Sequence, residues 1–324
     1  MSGDAAPYER DPWTVRKEQV YEALLLACVA ITVLVTVGIV LSLVFDAAVF
    51  FRQVPVLDFL TGTTWEPQVR PHSFGVLPLV SGTLIVTVGS ALISLPVGLA
   101  AAIYLSEYAS RRVRAVLKPA LEILAGVPTV VYGYFALVYI TPAIRSVLPI
   151  SLRFSPDFVL VIPQPGTFNA LSASIVVGIM IIPMVSSISE DALSAVPDSL
   201  RQAGYGLGST KFDVSTRVVV PSAVSGIVSS YVLAISRAIG ETMAVTIAAG
   251  QSPQMPYFPR VLRNLTESIE TITAAMVEIA FSDIQGESTA FYAMFALGLT
   301  LFVITFTMNL VAEYVRLRYQ EVYH

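Results

Sequence analysis

A chain of 324 residues that is 55% hydrophobic and only 13% charged, with mean hydropathy +0.73, is not a water-soluble globule, because soluble domains carry about 25% charged residues. The same composition excludes a disordered chain, and the single cysteine, Cys28, excludes an intrachain disulfide. A formal charge of −4 argues against nucleic acid as a partner.

A membrane-spanning helix needs roughly 20 mostly apolar residues. Six stretches meet that length: 21–44, 77–105, 115–144, 170–189, 222–249 and 289–315. They predict an all-α fold, a polytopic membrane helical bundle of six transmembrane helices. The first stretch is too long for the apolar core of a signal peptide and no small-residue cleavage site follows it. The chain then divides into a tail, 1–19, a first helix with its outer loop, 20–73, a transmembrane core, 74–318, and a short tail, 319–324. Lys and Arg number twelve on one alternate set of loops and tails and six on the other, which predicts cytoplasmic N- and C-termini. The outer loops, 45–74, 145–169 and 250–288, are rich in Pro and aromatic residues, and they either receive an external partner or cap the bundle. Asn264-Leu265-Thr266 is a glycosylation sequon on that side, a tripeptide frequent by chance.

Charges inside apolar runs carry the chemistry. A charged side chain at the bilayer centre costs about 2.5 to 3.5 kcal/mol on insertion scales, so it needs a partner or a task. Arg237 falls next to the midpoint of 222–249, and Glu241 follows one helical turn later, within reach for an ion pair. One reading is a pair that fixes helix packing. The other is an anion site on a translocation path, since guanidinium is permanently charged and its planar fork of donors suits oxyanions. Ser236 and Thr242 add hydroxyls beside it, and Gly240 allows close approach. Glu122 opens a run through Gly126, Pro128, Thr129 and Gly133, in which Pro128 either breaks a helix that lines a cavity or only kinks it.

No phosphate-binding loop of the form G-x-x-x-x-G-K-[ST] occurs, so energy for transport must come from elsewhere. With two histidines, His72 and His324, neither a metal site nor a Ser-His-Asp triad is expected, and no cofactor or catalytic residue is visible. An intrinsic catalyst is therefore not visible in the chain.

The loop at about 190–221 reads as a short amphipathic helix after Pro197, stopped at Gly208, then a second segment ending at Pro221. It resembles the E-A-A-x-x-x-G-x(9)-I-x-L-P loop of ABC importer permeases: Gln202, Ala203 and Gly204 stand at the E-A-A positions, Gly208 at the glycine, and Val218, Val220 and Pro221 at the end. In that family the helix docks into a groove of the ATPase, and Gln at 202 and Gly at 204 depart from the pattern. Phe59 to Pro67, Glu122 to Gly133 and Arg237-Ala-Ile-Gly-Glu241-Thr-Met243-Ala-Val245 further resemble the phosphate-specific Pst permeases, the PstC type rather than the PstA type. The resemblance covers residues 20 to 318. It implies a type I ABC importer permease of the cell membrane that pairs with a homologous PstA-like permease. Two PstB-like ATP-binding subunits and a PstS-like extracytoplasmic phosphate-binding protein would complete the system. Inorganic phosphate would then pass Arg237, Glu241, Thr242, Ser236, Glu122 and Thr129. A permease for molybdate or sulfate, a membrane enzyme acting on lipid phosphates, and a structural membrane scaffold are the alternatives.

Overall fold

The computed structural model describes residues 12–155, 158–258, 262–283, 286 and 288–318. The tail 319–324, residues 1–11 and Arg260, which enter the charge count and the domain division above, lie outside the described residues.

Among the described residues, five helices are long and apolar enough to cross a membrane: Arg16–Phe51, Leu77–Tyr108, Thr129–Val147, Ala170–Ser194 and Thr289–Tyr314. A sixth span results if Lys211–Ser222 and Val224–Ile239, which meet at 71°, form one crossing. The all-α bundle is therefore present, decorated by two antiparallel hairpins.

The described apolar side chains of helix α1 (Pro12–Phe51) are exposed almost to its end. Of its described side chains only Ala47 and Phe50 are buried, in a cluster with Phe59 of α2 (Val56–Thr61), Trp65 of β1 (Trp65–Glu66) and the later helices described below. Strand β2 (Ser73–Phe74) pairs with β1. Helix α3 (Leu77–Ile103), extended by a π-helical turn at Tyr104–Tyr108, lies along α7 (Ala170–Ser194). Small residues permit that approach: a Cβ on Gly98 would lie 2.6 Å from Val185 Cβ, and one on Gly89 would lie 2.4 Å from Ser174 Oγ.

The third span departs from expectation. Residues 115–144 do not form one helix. Instead α4 (Arg111–Ala125) is amphipathic, with a Ser110 N-cap whose hydroxyl accepts from Val113 N, and no residue of it is fully buried. The chain then breaks at Gly126 to Pro128 and continues as α5 (Thr129–Phe135), a π-helical turn at Ala136–Ile140, and α6 (Thr141–Val147). Pro128 lacks an N–H and restricts Val127 to extended backbone, so it serves as the N-cap of the new helix rather than as a kink within an old one. Strands β3 (Ile150–Ser155) and β4 (Phe158–Ile162) form the second hairpin.

The fifth span is also interrupted. After α7 come α8 (Asp198–Gly206), α9 (Lys211–Val214) and α10 (Val220–Ser222), with a π-helical turn, Ser215–Val219, between the last two. Then α11 (Val224–Ile239) ends at Gly240, and α12 (Met243–Ala249) starts afresh. After α13 (Arg263–Thr266), the short apolar helix α14 (Ile272–Phe281) is too short to span, and α15 (Thr289–Arg318) completes the bundle.

The segment leading into α14 is seated against α3. Ile272 N donates to Thr83 Oγ1 at 3.1 Å, and a Cβ on Gly82 would lie 2.1 Å from the Glu270 carbonyl oxygen. Gly82→Ala is expected to cost about 1 to 3 kcal/mol, because backbone must move to admit the methyl group. Thermal unfolding in detergent checks this: a drop in Tm is expected for Gly82→Ala, and none for Gly38→Ala, where no atom lies within 4 Å of the added methyl.

Candidate functional site

Arg237 lies in the last turn of α11, so the carbonyl end of that helix faces the guanidinium and favours its charge by about 0.3 to 1 kcal/mol. The chain folds this way because Gly240 closes α11, its N–H donating to Ser236 O at 3.2 Å, and the backbone restarts only at Thr242. Glu241 is thus beyond the helix end, not one turn along a continuous helix. Its carboxylate nevertheless stays close to Arg237, with Nη2 to Oε2 at 3.7 Å. That distance is an ionic contact and too long for a hydrogen bond.

The two partners sit in unlike surroundings. Glu241 is buried, 3% exposed, and anchored: Oε1 accepts from Ala244 N at 3.3 Å, and its backbone carbonyl accepts from Thr273 Oγ1 at 2.8 Å. The Arg237 side chain is 47% exposed, and among the described residues none accepts a hydrogen bond from it. A fixed carboxylate thus aims a guanidinium whose donors are free. Ser236 beside it donates to Asn309 Oδ1 at 3.1 Å and so ties α11 to α15, and Thr242 Oγ1 donates to Gly240 O at 3.2 Å within the break.

The other expected path residues are placed differently. Thr129 opens α5, which packs on α12: a Cβ on Gly133 would lie 3.1 Å from Ala244 Cα. The two broken spans therefore meet, and Tyr132 Oη donates to Leu124 O at 2.8 Å to hold α4 across the first break. Glu122, however, is an exposed residue near the end of α4 and lines a cavity of about 320 Å³ with Lys118, Pro183, Ser186 and Glu190. Among the described residues, neither Glu122 nor Thr129 makes a side-chain hydrogen bond to Arg237 or Glu241.

The coupling loop is a capped helix. Just beyond α8, Gly208 takes φ +82°, with its N–H donating to Tyr205 O at 3.0 Å and Ser209 N donating to Gly204 O at 3.2 Å, a Schellman closure that favours glycine. A Cβ on Gly204 would lie 2.9 Å from Val214 Cγ2, so the departure from alanine there lets α8 pack tightly on α9. Gln202 and Ala203 face solvent, as do Tyr205, Leu207 and Phe212, with Leu207 87% exposed. Pro221 lies in the first turn of α10, ahead of the 71° bend.

Two buried ionic clusters hold this loop, and neither is assigned by the sequence reading. Glu190, at the end of α7 and fully buried, is bonded by Arg114, by Lys118 Nζ at 2.8 Å and by Ser194 Oγ at 3.1 Å. Arg201 of α8 donates to Glu107 Oε1 at 2.9 Å and to Leu193 O at 2.8 Å. The signal for the first was Arg114 and Lys118, one turn apart on an amphipathic helix, facing an acid at the end of an apolar run. The sequon residue Asn264 is buried, its Oδ1 accepting from Tyr257 N at 2.7 Å, so its amide is not presented to solvent.

Residues 94–321 match the family of binding-protein-dependent transport system inner membrane components, and the chain belongs to that family. Relatives of similar length narrow the comparison. A probable ABC transporter permease protein, YqgH, of Bacillus subtilis is 32% identical, covering 90% of this chain and 88% of its own length. Phosphate transport system permease proteins PstC of Mesorhizobium japonicum and Haemophilus influenzae are 33% and 36% identical, the first covering 94% of this chain and 93% of its own length, the second 78% of each. Among solved structures, a bacterial ABC transporter involved in the import of alginate superposes with TM-score 0.62 over 95% of this chain and 100% of its own, at 14% identity. The MetNI methionine ABC transporter in inward-facing form gives 0.52 over 76% of this chain and 95% of its own, also at 14% identity. These two likenesses establish the fold.

Proposed function

We propose that the chain is a membrane permease subunit of an ATP-driven importer, and that inorganic phosphate is what it carries. The observation that supports this reading is Arg237: a permanent cation in a membrane helix, aimed by a buried glutamate and, among the described residues, with its hydrogen-bond donors unused. The similarity to permeases named for phosphate transport points to the same anion. In the isolated chain that guanidinium is exposed, which suits a path completed by a second, homologous permease. Glu241 keeps the arginine oriented when the path is empty, and its negative charge limits how tightly an anion stays.

The same geometry supports the remaining partners. The exposed Tyr205, Leu207 and Phe212 around α8 offer an apolar surface to an ATPase subunit, and Arg201 with Glu190 fastens that surface to α3, α4 and α7. Movement of α8 would re-aim the interrupted spans. In this reading both termini and α8 are cytoplasmic, and the two hairpins face an extracytoplasmic phosphate-binding protein.

Labelled phosphate uptake into proteoliposomes holding the assembled transporter and its cognate binding protein tests the substrate. ATP-dependent uptake that excess unlabelled phosphate suppresses, and that equal sulfate or molybdate leaves unchanged, is the expected result. Equal suppression by sulfate or molybdate would make the chain a permease for oxyanions at large.

A further inference from the structure

On the face that carries the hairpins, a cavity of about 450 Å³ lies between β1, the segment after α12 and α14. Three carboxyl groups line it: Glu66 from β1, Glu270 just before α14, and Glu278 within α14. The uncharged Gln68, Gln251 and Gln254 complete its polar wall, and among the described residues no Lys, Arg or His lines it. Glu270 is 1% exposed, and its Oε1 has no hydrogen-bond partner. Among the described residues, the elements packed around it add nothing charged of the opposite sign, since α3 presents Gly82 and Thr83, and α12 leads into Gln251 and Ser252.

A buried carboxylate without a cation is strongly disfavoured in its ionised form. Burial, reinforced by the Glu278 carboxylate beside it, pushes the Glu270 carboxyl up to about 9. Glu270 therefore carries its proton at neutral pH. Its position makes that proton consequential, because residues 267–273 form a strap bonded to α3, α7, α12 and the break at Glu241. Ala170 N donates to Glu267 O, Ile269 N donates to Ala249 O, Ile272 N donates to Thr83, and Thr273 Oγ1 holds the carbonyl of Glu241 itself.

We propose that Glu270 and Glu278 hold one proton between them as a latch, and that its loss loosens the strap that seats Glu241 beside Arg237. Two facing carboxylates in one cavity repel each other and draw in water, and the strap, held by those four hydrogen bonds, is the element their repulsion would displace. The sign follows from linkage. A carboxyl whose closed-state value lies above its open-state value stabilises the closed strap at low pH. That stabilisation is lost as pH rises from the ordinary carboxylate range through about 9.

The test uses Trp65, which lines the cavity, is 3% exposed and is one of two tryptophans in the chain. In the full chain carrying Trp13→Phe in lipid nanodiscs, Trp65 fluorescence should pass through a single transition whose midpoint lies above the carboxylate range and no higher than about 9. Glu270→Gln, which copies the protonated acid, should show no transition, and Glu278→Gln should move the midpoint down. In the assembled transporter, uptake by Glu270→Gln relative to the parent should rise by about tenfold for one pH unit beyond the midpoint, following loss of the proton. A transition that persists in Glu270→Gln, or a ratio that stays flat across that interval, would overturn the latch. The fluorescence arm reads the latch whatever anion the transporter carries.

Discussion

Arg237→Gln should abolish phosphate uptake while the chain remains inserted and folded. The guanidinium offers two parallel charge-assisted hydrogen bonds to an oxyanion, each contributing about 1.5 to 3 kcal/mol, so their loss should lower uptake by roughly a hundredfold or more. The stability cost is small by comparison. Arg237 is half exposed and its contact with Glu241 is 3.7 Å long, the kind of pair that contributes about 0 to 1 kcal/mol. Glu241 keeps its hydrogen bond from Ala244 N in the variant. Arg237→Lys separates charge from geometry: it retains the cation but not the fork, and uptake intermediate between parent and Gln is expected. Radiolabelled uptake in proteoliposomes, with thermal unfolding on the same preparations, distinguishes a lost anion contact from a lost fold. Equal uptake by Arg237→Gln and parent would leave the pair with a packing role only.

The second large effect is at Glu190. Replacing Arg114 and Lys118 together by Met leaves a fully buried carboxylate with Ser194 as its remaining hydrogen-bond donor. Stranding a buried charge costs about 3 to 5 kcal/mol; the lower end applies here, because both cations are about a third exposed and partly screened. Glu190→Gln, which strands only cations that reach water, should cost about 1 kcal/mol. A triple variant with all three charges removed should recover most of the loss seen in the double variant. Thermal unfolding of the four proteins measures the coupling, and a double variant no less stable than Glu190→Gln would show that the cluster does not hold α4 on α7.

The residues that were readable in sequence share a physical property: they violate the apolar surroundings in which they lie. Arg237 and Glu241 stand out because charge in a long apolar run needs a reason, and the loop at 190–221 stands out because Pro197, Gly208 and Pro221 punctuate it. The breaks were harder to see. Gly240 is one glycine in an apolar stretch, and that it ends α11 becomes visible only with α12 starting afresh beyond it and packed on α5. Residues 115–125 read as membrane-spanning because their apolar side chains merge with Thr129 to Ile144, although they occupy one face of α4. The surroundings of Glu122 were hidden for the same reason, since the break turns α4 toward α7 and the Glu190 cavity. Glu270 was not readable at all. An acid in a long loop looks solvated, and it becomes anomalous only when Gly82 and Thr83 of α3 draw its backbone into the core.

The most direct measurement is a structure of the assembled transporter arrested with phosphate inside the membrane. The account requires a phosphate oxygen about 2.7 to 2.9 Å from the Arg237 guanidinium, the distance of a charge-assisted hydrogen bond. A guanidinium enclosed by apolar side chains of the second permease, with phosphate held elsewhere, would contradict it.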